Sequence, residues 1–356
     1  KVDAGSVSLS LSSGETGAAS KSGGVTTVTV DRDGALWGPA QEITASLSYT
    51  AGGNERTVDW TFTVQDYPTL SKGRTDVGSG SDSGFEFRIF QTASSRGNNT
   101  ADAEAQLAGT WADGEENVAD PAGSETSDGP GILFNVDIIN MDQDGNPQGV
   151  FRDSGDGSST DRVDDPIPGI PGLTDSTDAM SAEILTYIEF SSAGYYQMIF
   201  NSDDGFRVTE THGAGDAAGM ELGVFNGGRG ASDSRFGFAV IEAGVYPIRA
   251  IWYEGGGGAN LEWSTTDGAS RWLINDSDSN ALKAFRSRSG TPTDVALPST
   301  GGSIASVGLS EGNVVIEYSG TLKSSESVTG PFNAVGGASS PYSVEPTKAA
   351  EFYIAE

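Results

Sequence analysis

The chain has 356 residues, 50 of them Gly and none Cys, and its 50 acidic residues against 20 basic ones give a formal charge of −30. A field of that sign repels phosphate backbones and anionic lipid surfaces, so nucleic acid and membrane insertion are poor expectations and cations are favoured. Without Cys there is no disulfide, thiolate metal site or cysteine nucleophile, and no run approaches the roughly 18 apolar residues of a membrane span.

Gly, Ser and Thr between short alternating runs predict an all-β chain, built as antiparallel β-sandwiches in three consecutive regions with one short helix. Region 1–70 carries SVSLSLSS, GVTTVTVDRDG, ITASLSYT and VDWTFTV, whose alternation puts Val58, Trp60, Phe62 and Val64 on one face. It reads as an immunoglobulin-like sandwich. A polar linker, 71–83, leads to a central region, 84–287, entered by FEFRIFQT. There NNTADAEAQLAGTW predicts the helix, with Thr100 as N-cap and Gly109 as the C′ stop. An acidic, Gly-rich stretch follows, interrupted by the strand GILFNVDII.

Beyond Pro166 the strands are dense: AEILTYIEF, YYQMIF running into NSDDGFRV, GFAVIEAGVYPIRAIWYE, and ANLEWST. The last two are expected to form a hairpin across Gly255 to Gly258, with Tyr246, Ile248, Ala250 and Trp252 on one face. A linker over 288–302 precedes a small C-terminal β domain, 303–356.

The chemistry centres on NSDDGFRV, where Asp203 and Asp204 stand side by side before Gly205. Adjacent carboxylates repel, and calcium, which takes six to eight oxygens, relieves that repulsion. A solvated turn fits the spacing as well. A second candidate is Asn140-Met-Asp142-Gln-Asp144-Gly145, with oxygen ligands at alternate positions like the first half of an EF-hand loop. Phe151 stands where the last ligand belongs, so a complete EF-hand is excluded, and a turn between strands is the alternative.

No enzymatic activity is expected. His212 is the sole histidine, in a loop-like THGAGD, and no GxSxG elbow occurs. Among fifty acids some pair reaches glycosidase spacing by chance, and nothing singles one out. The Gly255 to Gly258 run lacks the Lys-Ser/Thr of a phosphate-binding loop. Trp252, Tyr253 and Trp263 are candidates for stacking on sugar rings, with core packing as the alternative.

The pieces G-Y-Y…SDDGFR and G-V-Y-P-I-R…Y-E-G-G-G-G-A, in this order, resemble the protective-antigen-type β-sandwich domain. That domain occurs in anthrax protective antigen, yeast flocculins, some bacterial glycosidases and secreted multidomain proteins of verrucomicrobial-type bacteria. The resemblance is concentrated in residues 182 to 264. It implies that Asp203 and Asp204 are joined by a cis peptide and hold calcium, to which sugar hydroxyls coordinate. The family's asparagine ligand corresponds to Asn226, within a loop rebuilt here as FNGGRGASD, and the usual element after the aspartate turn is replaced by TETHGAGDAAG. The expectation is a secreted or cell-surface, non-catalytic adhesion or glycan-binding protein with calcium as cofactor. The alternative is a structural subunit of an extracellular filament, coat or surface layer, with neighbouring copies as partners in a homo-oligomer or polymer.

Overall fold

A computed structural model describes residues 2–31, 37–38, 41–64, 66–111, 115–126, 129–143, 148–211, 213–297, 304–310, 312–318, 320–327, 332–348 and 350–355. Two compact units emerge. The smaller gathers Lys1–Asp31, Trp37–Asp66 and Leu297–Glu356, and the larger contains Tyr67–Ala296.

In the smaller unit the N-terminal segments form strands β1 (Val2–Leu11), β2 (Thr16–Ser22), β3 (Val25–Thr29), β4 (Glu42–Ala51) and β5 (Asn54–Thr63). They make one antiparallel sheet in the order β3-β2-β1-β4-β5. The predicted apolar face of β5 is only partly covered. Phe62 meets the Trp37 ring edge-on at 5.6 Å, whereas Val58 and Trp60 stay 47% and 43% exposed on this edge strand.

The larger unit contains β6 (Thr69–Leu70), β7 (Gly80–Ser83), β8 (Phe85–Gln91), helix α1 (Thr100–Leu107), β9 (Ile132–Val136), β10 (Asn140–Asp142) and β11 (Asp165–Pro166). It continues with β12 (Met180–Phe190), β13 (Gly194–Asp203), β14 (Gly205–Glu210), β15 (Met220–Phe225) and β16 (Ser232–Val240). It ends with β17 (Gly244–Glu254), β18 (Asn260–Thr266), β19 (Arg271–Leu273) and β20 (Lys283–Arg288). Beyond it, in the smaller unit, lie β21 (Ile304–Ser310), β22 (Asn313–Tyr318), β23 (Leu322–Ser325), β24 (Asn333–Ala334), β25 (Tyr342–Val344) and β26 (Phe352–Ala355). These last six form two three-stranded sheets, β21-β22-β25 and β24-β23-β26.

The larger unit is a sandwich of two sheets. One runs β11-β10-β18-β13-β16-β6, with β19 on β18; the other runs β15-β14-β17-β12-β20-β7, with β8 and β9 joined through β12. Nearly all pairings are antiparallel, the short β10–β11 and β6–β16 pairs being parallel. Side chains alternate across each strand, so Tyr246, Ile248, Ala250 and Trp252 of β17 all point into one core, as their spacing predicts. Rings from the two sheets meet there: Phe200 stacks on Phe206 at 4.4 Å, and Phe190 meets Phe238 edge-on at 5.7 Å.

β17 is buried on its outer face as well, because α1 lies there with Ala103 and Leu107 against Ile251 and Tyr253. The N-cap is Asn99 rather than Thr100: its side-chain oxygen accepts from the backbone N–H of Asp102 at 2.8 Å. Gly109, with φ +68°, follows the C-cap Ala108. The expected β17–β18 hairpin is also corrected. The two strands belong to opposite sheets, and the Gly255 to Gly258 run carries the chain from one to the other.

Candidate metal and ligand site

Three chain crossings between the sheets build the site. At Asp203–Asp204 the chain leaves β13 in one sheet for β14 in the other; after Glu254 it returns from β17 to β18; and 226–231 joins β15 to β16. Register makes the first two neighbours, since Asp203 pairs with Asn260 and Gly205 with Tyr253. The result is a cluster of Asp203, Asp204 and Glu254, each offering a carboxylate oxygen within 4.8 Å of the others, and all three buried.

The backbone of the aspartate pair is held from both sides. The peptide between Asp203 and Asp204 is cis. Trp252 Nε1 donates to the Asp203 carbonyl at 2.9 Å, and Arg229 Nε donates to the carbonyls of Ser202 and Asp204, each at 3.2 Å. Arg229 is steadied in turn by the Phe225 ring, 4.1 Å from its guanidinium carbon. For the side chains, Asp204 Oδ1 accepts from Arg229 N at 2.7 Å and Oδ2 from Gly255 N at 3.0 Å. Glu254 Oε1 accepts from Gly256 N at 2.5 Å; its buried Oε2 meets no N–H donor, and the Glu254 and Asp203 carboxyls lie within hydrogen-bonding reach of each other.

Burial, reinforced by the charges of Asp204 and Asp203, pushes the Glu254 carboxyl well above the usual range, and burial with Asp204 raises Asp203 too. Buried carboxylates without enough donors are a poor arrangement unless a proton or a cation neutralises them. The donor set is all oxygen and anionic, which suits a hard divalent ion such as calcium rather than zinc.

Polar side chains from separate loops surround the cluster. Asn98 lies between Gly228 and Gly255, its Oδ1 buried and unpartnered; a Cβ at Gly255 would meet its carboxamide and force it to move. Gln148 sets its amide against Gly258, and Asp178 Oδ1 accepts from Gly257 N at 3.2 Å.

No protein-family profile matches the chain, and no curated protein matches it. Among solved structures it is similar to the epithelial adhesin 9 A domain from Candida glabrata, crystallised with Galβ1-3GlcNAc. That match has 11% identity, a TM-score of 0.39, and covers 63% of this chain and 99% of that one. The PA14 domain of the antifreeze protein MpAFP is 20% identical with a TM-score of 0.34, covering 56% and 89% respectively. The PA14 sugar-binding domain of an RTX adhesin is 18% identical with a TM-score of 0.34, covering 55% and 96%. At such TM-scores the function has to stand on this chain's own residues.

Several expected site residues sit elsewhere. Asn226 Oδ1 accepts from Thr100 N at 2.9 Å, which ties its carboxamide to the start of α1. Asp142 lies on β10, opposite Asn260, and accepts from Gln148 N at 2.8 Å. Asn140 to Asp142 is therefore a strand, not the opening of a calcium loop, and Asp144 lies outside the described residues, as does His212. Trp252 and Tyr253 are fully buried, which corrects the expectation that they stack on sugar: one faces the core and the other lies beneath α1. Trp263 is likewise core. Glu254 and Arg229 went unrecognised; the available signal was an acid closing a largely apolar strand immediately before a glycine run.

Proposed function

We propose that this chain is a non-catalytic glycan-binding or adhesion protein of the protective-antigen type, secreted or cell-surface, whose larger unit holds calcium through Asp203, Asp204 and Glu254. The observation that carries the reading is the convergence of three buried carboxylates, one with an oxygen that meets no N–H donor, at one end of the sandwich. Calcium supplies a hard divalent charge whose remaining coordination positions accept hydroxyl oxygens. Asp203 and Asp204 are held rigid by Trp252 and Arg229, so the donors are preorganised. Asn98, Gln148 and Asp178 form the polar rim that reads the sugar. The segments 1–70 and 303–356 are proposed as immunoglobulin-like and small β modules; 71–83, expected as a linker, belongs instead to the larger unit, where β7 pairs with β20.

Calorimetry tests both halves. Calcium is titrated first and a broad glycan panel second. Absence of calcium binding removes the metal site, and calcium binding without any glycan response removes the carbohydrate half.

A second reading, a subunit of an extracellular assembly, is favoured by two edge strands. β5 leaves Val58 and Trp60 exposed, and β21 leaves Val307 and Leu309 exposed at 63% and 80%. Electron microscopy with and without a chelator tests it, and dispersed monomers in calcium count against it.

A further inference from the structure

Beneath residues 148–151, on the outer face of β10, β18 and β13, lies a second group of buried oxygens. Register places Asn140, Glu262 and Asn201 side by side on three adjacent strands, with Asn260 two residues along from Glu262 on the same face. Asp164, just before β11, adjoins Asn140. Asn140 Oδ1, Asp164 Oδ1, Asn201 Oδ1, Asn260 Oδ1 and Glu262 Oε2 are all buried without a hydrogen-bond partner. The four side chains on the strands are between 0 and 4% exposed.

The unpartnered atoms are all acceptors. Asn201 Nδ2 donates to Asp233 at 2.8 Å, while Asn140 Nδ2 lies 3.4 Å from the Val163 carbonyl and Asn260 Nδ2 3.4 Å from the Met141 carbonyl, and the Asn140 side chain also hydrogen-bonds Asp164. Each amide nitrogen thus faces an acceptor, and each oxygen is left over. Glu262 Oε1 is held by the N–H groups of Val150 and Phe151 at 2.6 and 2.9 Å, which aims Oε2 elsewhere. Gly149 presses so closely on Glu262 that no Cβ fits between them. A single water supplies two donors, whereas a cation satisfies every oxygen around it at once. Glu262 stands between Asn140 and Asn201, one strand spacing of about 4.8 Å from each, so its neighbours on both sides are oxygen-bearing side chains.

We propose that this face is a second divalent-cation site, of the calcium class, separate from the aspartate pair. Glu262 and Asp164 supply its charge, and Asn140, Asn201 and Asn260 supply neutral oxygens. Desolvation raises both carboxyls, as expected where charge is buried without its counterion. Through Val150 and Phe151 the ion fastens the segment over β18, next to Gln148 of the first site's rim.

Native mass spectrometry of the full chain in calcium tests the assignment. Two ions per chain are expected in the wild type, one in Glu262→Gln/Asp164→Asn, one in Asp203→Asn/Asp204→Asn, and none when all four are combined. A wild type with a single ion that disappears with the Asp203/Asp204 pair overturns the second site, as do two ions retained in Glu262→Gln/Asp164→Asn. Should that variant fail to fold, wild-type crystals soaked in terbium decide: an anomalous peak bonded to Glu262 and Asn140 is expected, and its absence overturns the proposal.

Discussion

Trp252 of one sheet donates its indole N–H to the carbonyl oxygen of Asp203 in the other at 2.9 Å, inside the core. Replacing it by Phe keeps an aromatic ring but strands that carbonyl and leaves a void. Trp252→Phe is expected to lower stability by about 2–4 kcal/mol and to weaken calcium binding, read by urea unfolding and calorimetry. Unchanged calcium affinity would show that the bond serves packing alone.

Glu254→Gln separates the metal reading from a merely structural one. In chelator the variant should melt no lower than wild type, because burial pushes the Glu254 carboxyl up to about 9, so near neutral pH the amide replaces an acid that is already neutral. In calcium its stabilisation should shrink, with affinity reduced about tenfold or more. Differential scanning fluorimetry across calcium concentrations reads both, and an undiminished calcium shift removes Glu254 from the ligand set.

Arg249 ties α1 to the sandwich. Its guanidinium is 1% exposed and bonds Glu104 of the helix at 2.8 and 2.7 Å, while Nε bonds Glu183 of β12 at 2.6 Å. Arg249→Met leaves the buried Glu183 without its cation and should cost about 3–5 kcal/mol in chemical denaturation. Adding Glu183→Gln should recover part of that loss; a further equal loss would contradict the buried-charge explanation.

Glu210 gives a pH dependence with a definite sign. Its Oε1 accepts from Ser71 N and Lys72 N at 2.5 and 2.7 Å, yet burial pushes its carboxyl up to about 7 from an ordinary 4.5. The folded state therefore holds this proton more tightly than the unfolded state. Its stabilising contribution is full below pH 4.5 and is lost as pH rises through about 7, by at most about 3 kcal/mol. Glu210→Gln should flatten that part of the curve of urea midpoint against pH. An identical slope in the variant would assign the dependence to other groups.

Strand content was readable because alternation is a local signal. Tyr246, Ile248, Ala250 and Trp252 announce a core-facing side from spacing alone, though not that the other side of the strand is covered too. Which sheet a strand joins is not local, so the glycine run after Glu254 reads as a hairpin when it is a crossing. The same gap hid the third carboxylate: Glu254 meets Asp203 only because two crossings fall side by side. Tyr253 misled for a related reason, since nothing in its strand tells that a helix from residues 100–107 covers the outer face. Asp203 and Asp204 themselves were legible as adjacent charges with a motif around them.

Asp203 closes a strand of one sheet and Glu254 closes a strand of the other. A cation gripped by both would act as a rivet through the two layers, so that a load prising them apart falls on ionic bonds rather than on the apolar contacts behind them. Mechanical strength would then follow the calcium concentration of the surroundings, a property readable by single-molecule pulling with and without chelator.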